Sequence, residues 1–159
     1  MGIQINVGDH TSSKAGYIAV PNGDKLDMTR WARTKARSIA KNHLPADLYF
    51  KSLPNGKSLT ELLDDGSIWV NFDPSLADWG QTNFAGVKEI AIGPQAYRIG
   101  RWSVLATLIH ELAHVDGVRG ALLPLAAEET LLHTGLGKQS EKTTGVDDPN
   151  TPYNPGIRG

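Results

Sequence analysis

The chain has 159 residues, no cysteine, 40% apolar and 21% charged residues, and 16 Lys plus Arg against 17 Asp plus Glu. This length fits one domain with a sizeable core, and the lack of cysteine excludes a disulfide scaffold and thiolate-held zinc, so any metal must bind His, Asp or Glu. A net charge of −1 gives no global electrostatic case for binding nucleic acid or an anionic membrane.

Met1 to Lys14 is polar and reads as a loose lead-in with one short strand at Ile3 to Val7. Tyr17 to Val20 predicts a second short strand, broken by the turn cluster Pro21-Asn22-Gly23-Asp24. Asp24 or Asp27 can cap a helix running to about His43, with Met28, Trp31, Ala32, Ala36, Ile39 and Ala40 at helical spacing and Pro45 ending it. Charge is concentrated here: Pro21 to Thr60 carries eight basic and three acidic residues, whereas Glu61 to Asn150 carries six and 13. Such a stretch is ordinarily a solvated helix face; Arg30 to Lys41 is also where an acidic inhibitor or carrier would touch.

Leu48-Tyr49-Phe50 suggests a strand, and Ser58 with Glu61 three residues on suggests a capped short helix through Leu63. Ser67 to Phe72 and Lys88 to Gly93 are strong strand candidates, separated by a long loop from Asp73 to Gly86. No apolar run approaches the ~18 residues that would span a bilayer. The opening 30 residues lack the order of a signal peptide, so export would use another route. Residues 1–136 are expected to form the domain and residues 137–159 a Pro/Gly-rich extended tail.

The chemistry lies in Arg101 to Gly137. His110-Glu111-Leu112-Ala113-His114 is an HExxH motif, and Trp102, Leu105, Ile109 and Leu112 form the apolar stripe of a helix. At about 100° per residue His110 and His114 point together beside that stripe. Two such imidazoles can coordinate one Zn²⁺, and Glu111 sits next to the metal without binding it, as a general base requires. A catalytic zinc takes a third protein ligand. The metzincin pattern HExxHxxGxxH is followed only to Gly117, because Gly120 stands where the third His belongs. Gly117 instead suits the left-handed cap of the helix. A second helix is predicted over about Leu123 to Thr134, with Pro124 in its first turn, Gly135 as its cap, and Leu125, Leu131, Leu132 and Leu136 in apolar contact. It should lie antiparallel to the first and bring Glu128 or Glu129 to the height of His114. Periodicity does not separate the two carboxylates; the other one would support a metal-bound His.

HExxH on one helix and a Glu on the next resemble a gluzincin-like zincin metallopeptidase. More narrowly, LIHELAHVDG (Leu108–Gly117), AAEETL (Ala126–Leu131) and Gly135-Leu136-Gly137 resemble metallopeptidase toxin domains at the C-termini of bacterial polymorphic toxins of the Rhs and VgrG type, over about 30 residues. The resemblance favours Glu128 as third ligand. It implies an α+β zincin-like fold, with the active-site helix packed on a short twisted sheet whose edge strand, Ser67 to Phe72 or Lys88 to Gly93, aligns a peptide. It also implies hydrolysis of a protein or peptide substrate, delivery without a signal peptide into the periplasm or cytoplasm of a target cell, and a cognate immunity or inhibitor protein. Such a chain would be cytoplasmic in its producer. A peptidoglycan-directed zinc amidase or a non-catalytic zinc-stabilised binding domain would use the same residues. Tyr97 and Tyr153 are candidate oxyanion donors, although tyrosines are more often packing residues. His133 reads as a surface histidine, and His10 and His43 carry no assigned role.

Overall fold

In a computed structural model the described residues are 2–83, 88–119 and 126–136, without the side chain of Glu128. The elements in chain order are β1 (Gln4–Ile5), α1 (Asp24–Asn42), α2 (Leu44–Lys51), α3 (Leu59–Leu63), β2 (Trp69–Phe72), β3 (Gly80–Asn83), β4 (Glu89–Ile92), α4 (Pro94–Ile99), α5 (Arg101–Val115) and α6 (Ala126–His133). This is a small α+β fold with a mixed sheet of order β1-β2-β4-β3, in which β1, β2 and β4 run parallel and β3 is antiparallel to β4. The expected tail, residues 137–159, and the loop residues 84–87 lie outside the described residues.

Val70, Phe72, Ile90 and Ile92 share one sheet face and are buried. Helix α5 packs on that side against β3 and β4, and its other flanks meet α1, α4 and α6. Small buried residues on α1, Ala32, Ala36 and Ala40, let a neighbouring helix approach closely. Trp31 of α1 meets Trp102 of α5 edge-on, with ring centroids 4.9 Å apart. Enclosed in this way, α5 is buried at every position from Ser103 to Ala113, rather than along one stripe.

Four expectations are corrected. Leu48 to Phe50 is helical: Pro45 does not merely end α1 but occupies the first turn of α2, and Ala46 and Phe50, one turn apart, are the buried pair. Asp24 and Asp27 lie inside the first turn of α1, with Gly23 at the cap position. The stretch from Asp73 to Gly86 contains β3, which the unpatterned sequence Gly80-Gln81-Thr82-Asn83 gives no reason to expect. As a result, Ser67 to Phe72 and Lys88 to Gly93 supply interior strands, and the outermost strands are β3 and β1.

The lead-in is also tied down rather than loose. Asn6 Nδ2 donates to Asn71 Oδ1 (2.8 Å), His10 pairs with Glu89 (2.7 Å) while stacking on Trp69, and Tyr17 donates to Gln81 (2.9 Å). This segment covers the polar face of the sheet, which explains why all four residues of β4 are buried. Ile18 adds an isolated bridge to Phe72 where a strand was expected. The capped helix at Ser58 forms as read, with Ser58 Oγ accepting from the Glu61 amide at 3.0 Å.

Candidate metal centre

The motif helix ends on the glycine that the sequence marks. Gly117 has φ +99°, Gly117 N donates to His114 O (3.1 Å) and Val118 N to Ala113 O (3.2 Å). These two bonds form a Schellman turn, in which only glycine takes the left-handed position without strain. Val118, itself buried, is thereby folded back so that its carbonyl lies 2.9 Å from His114 Nδ1. A carbonyl can only accept, so Nδ1 is the donor, and a neutral ring with this tautomer has its lone pair on Nε2, the form a ligating imidazole needs.

His110 and Glu111 are fully buried and His114 is half-buried, and one potential ligand atom from each of the three lies within 4.8 Å of the others. His110 Nε2 and His114 Nε2 are 3.3 Å apart. Two nitrogens each ~2.05 Å from a tetrahedral zinc stand about 3.3–3.4 Å apart, so this separation, at which the two rings also hydrogen-bond to one another, is compatible with one shared ion.

Strand β3 closes on the same turn of α5. Thr82 Oγ1 lies 3.2 Å from both Glu111 Oε2 and the Glu111 carbonyl. Gly80 permits this approach: a Cβ there would stand 2.5 Å from Thr107 Cγ2 and 3.0 Å from Glu111 Cγ. Neither Gly80 nor Thr82 is a functional candidate from sequence, since both fall in the stretch read as a loop.

On the C-terminal side, Asp116 is fully buried; its carboxylate accepts from Lys57 N (2.9 Å) and its carbonyl from Asn55 N (2.8 Å). Burial pushes the Asp116 carboxyl up to about 6, against the opposing pull of the Lys57 amide. The acid therefore fastens the 54–57 turn to the end of α5, a role its place in the motif does not announce.

Helix α6 packs on α5 and α2, burying Ala127, Thr130, Leu131 and Thr134. Gly135 (φ +75°) closes it by the same paired bonds as Gly117, through Gly135 N to Leu132 O and Leu136 N to Leu131 O. Leu131 and Leu136 are in the core as expected, whereas Leu132 is 54% exposed, and Leu125 lies outside the described residues. Glu129 is exposed, and the side chain of Glu128 lies outside the described residues.

Elsewhere, His133 stacks on Tyr49 with ring centroids 4.1 Å apart and is not part of the His110–Glu111–His114 cluster. Tyr97 is a core residue: its hydroxyl is bonded to Thr29 Oγ1 (2.8 Å), its ring meets Phe72, and burial raises its pKa above the ordinary tyrosine range. It is thereby committed to packing rather than to an oxyanion. Tyr153 falls outside the described residues. Among the described residues no helix is long and apolar enough to cross a membrane. Comparison with protein-family models, with curated proteins and with solved structures finds no match.

Proposed function

We propose that the chain is a zinc-dependent metallopeptidase with His110 and His114 as metal ligands and Glu111 as general base. The observation that carries this is the pair of Nε2 atoms 3.3 Å apart, one of them set in the ligating tautomer by Val118, with a buried carboxylate beside them. Glu128 is the proposed third ligand. Its neighbour Glu129 is solvent-exposed, which argues against pairing that residue with a buried imidazole, and α6 packs directly on α5.

Zinc held by His110, His114 and Glu128 would supply Lewis-acid activation of water and of a scissile carbonyl. Glu111 takes the proton of the attacking water and returns it to the leaving amine nitrogen, so that a water molecule is consumed and a C–N bond is broken. Thr82 holds Oε2 of that base while the proton moves. Because β3 is an outermost strand and carries Thr82 to Glu111, an extended peptide added along β3 would run past the base, giving affinity through main-chain bonds with little demand on sequence.

The likeness of Leu108–Gly117 and Ala126–Leu131 to polymorphic-toxin metallopeptidase domains extends the proposal to an effector. It would be delivered into another cell, and its producer would be protected by a cognate inhibitor. The decisive experiment pairs zinc stoichiometry with cleavage of an unstructured protein such as casein. Wild type should hold one zinc and cleave; Glu111→Gln should hold one zinc and cleave about 10²–10⁴-fold more slowly. Full retention of cleavage in Glu111→Gln, or unchanged zinc in His110→Ala, overturns the reading. Cleavage of muropeptides in place of casein would redirect it to a peptidoglycan amidase.

A further inference from the structure

At the opposite edge of the sheet from β3, two guanidinium groups lie against the backbone of residues 2–5, where the Ile3 amide donates to Leu63 O (2.9 Å). Arg33 Nη1 donates to Ile3 O (3.2 Å), and Arg37 lies so close over Gly2 that a Cβ there would stand 2.0 Å from Arg37 Nη2. Together with Gly2, Ile3, Gln4 and Ile5, these two arginines line an open cavity of about 350 Å³ with no acidic residue in its wall. Arg30 is one turn below Arg33 on the same helix. None of the three arginines is ion-paired among the described residues, where the only salt bridges are His10–Glu89 and Lys88–Asp65. Arg33 Nε is buried with no hydrogen-bond partner there. Burial first, and then the charges of Arg37 and Arg30, draw the Arg33 guanidinium below its ordinary pKa. Like charges gathered without a counter-charge around a buried donor are a cost that a bound anion would remove.

The shape of the cavity narrows the class of anion. It follows four residues of backbone, about 13 Å at strand rise, which is longer than a lone oxyanion needs. Strand β1 has a strand neighbour on one side only, β2; on the other side both main-chain groups of Ile3 are taken, by Leu63 O and Arg33, so a docked segment would be held there by the arginines and not by strand pairing along the whole edge. Arg33 and Arg37 leave α1 about 6 Å apart along its axis, close to the roughly 6.6 Å between side chains i and i+2 of an extended chain. Guanidinium forks are well matched to carboxylates.

We propose that the β1 edge with Arg33 and Arg37 is a docking site for an extended acidic segment of a partner protein, read as two carboxylates at alternate positions. The site lies on a different strand from the metal centre and does not depend on the zinc reading.

The test titrates the intact ¹⁵N-labelled protein with a short capped peptide bearing Glu at alternate positions (TEVEVT), with its Gln counterpart (TQVQVT), and with inorganic phosphate. The acidic peptide should shift the amides of Gly2, Gln4 and Ile5. It should bind at least tenfold more tightly than the Gln peptide, and weaken as salt is raised. Arg37→Gln, at an exposed position that leaves the Arg33 bond to Ile3 intact, should weaken it about tenfold; Arg33→Gln should do the same or more. The proposal fails if the two peptides bind alike, if Arg37→Gln binds like wild type, or if no amide shifts. It also fails if phosphate alone moves these amides, which would leave a small-anion site and no docked chain.

Discussion

Two buried glutamates, one on each face of the sheet, each sit beside a histidine, and they differ in how they are held. Glu89, on the polar face, is bonded to His10 and Ser12 at 2.7 Å, to Asn71 at 3.2 Å and to Ser13 at 3.4 Å. Glu111, on the helix face, is held from β3 by Thr82 and lies beside two imidazole nitrogens whose separation matches a zinc edge. A carboxylate ringed by donors stabilises the fold and is committed to it. Under the proposed function, the one that Thr82 reaches beside the two imidazoles is the one that moves a proton. Burial is common to both acids; what differs is the identity of their neighbours.

The largest test of this contrast exchanges the consequences. Glu89→Gln removes the charge that His10, Ser12 and Asn71 are arranged to meet, and should lower unfolding free energy by about 3–5 kcal/mol. Glu111→Gln should cost no more than about 1 kcal/mol while slowing cleavage about 10²–10⁴-fold. Denaturant titration of both variants decides it, and equal losses would dissolve the contrast. Burial works against the charge on Glu89, but hydrogen bonds from Ser12, His10 and Asn71 outweigh it and hold the carboxyl below the usual range. The stability this gives is present above the unfolded carboxylate pKa and is lost as pH falls through the lower folded value.

Asp116 has the opposite sign. Its folded pKa near 6 lies above the ordinary 3.8, so the protonated form is favoured by folding. That contribution is fully present below about pH 4 and disappears as pH rises through 6, a loss on the order of 2–3 kcal/mol. Asp116→Asn should flatten the stability profile between pH 4 and 7. A profile as steep as wild type would place the proton elsewhere.

The parts of the molecule that announce themselves in sequence are those whose signal is local. The Gly117 and Gly135 caps, the Ser58 cap and the 3.6-residue stripe of α5 are each written within one or two turns, and they place His110 and His114 on one side of a helix without tertiary information. Strand β3 is the reverse case. Gly80-Gln81-Thr82-Asn83 is extended because β4 offers it a pairing edge and because Gly80 lets it settle on Thr107 and Glu111, and neither partner is nearby in sequence. Glu89 is hidden for the same reason, since the side chains that bury it come from residues 10–13 and 71. Pro45 misleads by a different route: the restriction that ends one helix also suits the first turn of the next.

Gly80→Ala tests the strand contact directly. The added methyl meets Thr107 Cγ2 at 2.5 Å, so either β3 lifts from α5 or the helix shifts, at about 1–3 kcal/mol. Cleavage should fall with it while zinc is retained, because His114 is set by the Gly117 turn. Loss of zinc in Gly80→Ala would mean that the strand supports the metal ligands as well.

The smallest change asks whether Thr82 acts on the base or only fills space. Thr82→Val keeps the shape and removes the hydroxyl 3.2 Å from Glu111 Oε2, at a cost to stability of about 1 kcal/mol. If the hydroxyl orients Glu111, kcat on casein should drop on the order of tenfold with KM unchanged, since a base displaced by a fraction of an ångström loses rate before it loses substrate. Thr82→Ser, which restores the donor without the methyl, should recover most of kcat. A KM effect shared by Val and Ser would instead assign Thr82 to the peptide-binding surface of β3. The Thr82 hydroxyl would then not be what orients the carboxylate on the helix face, and the contrast with Glu89 would rest on the imidazoles beside it.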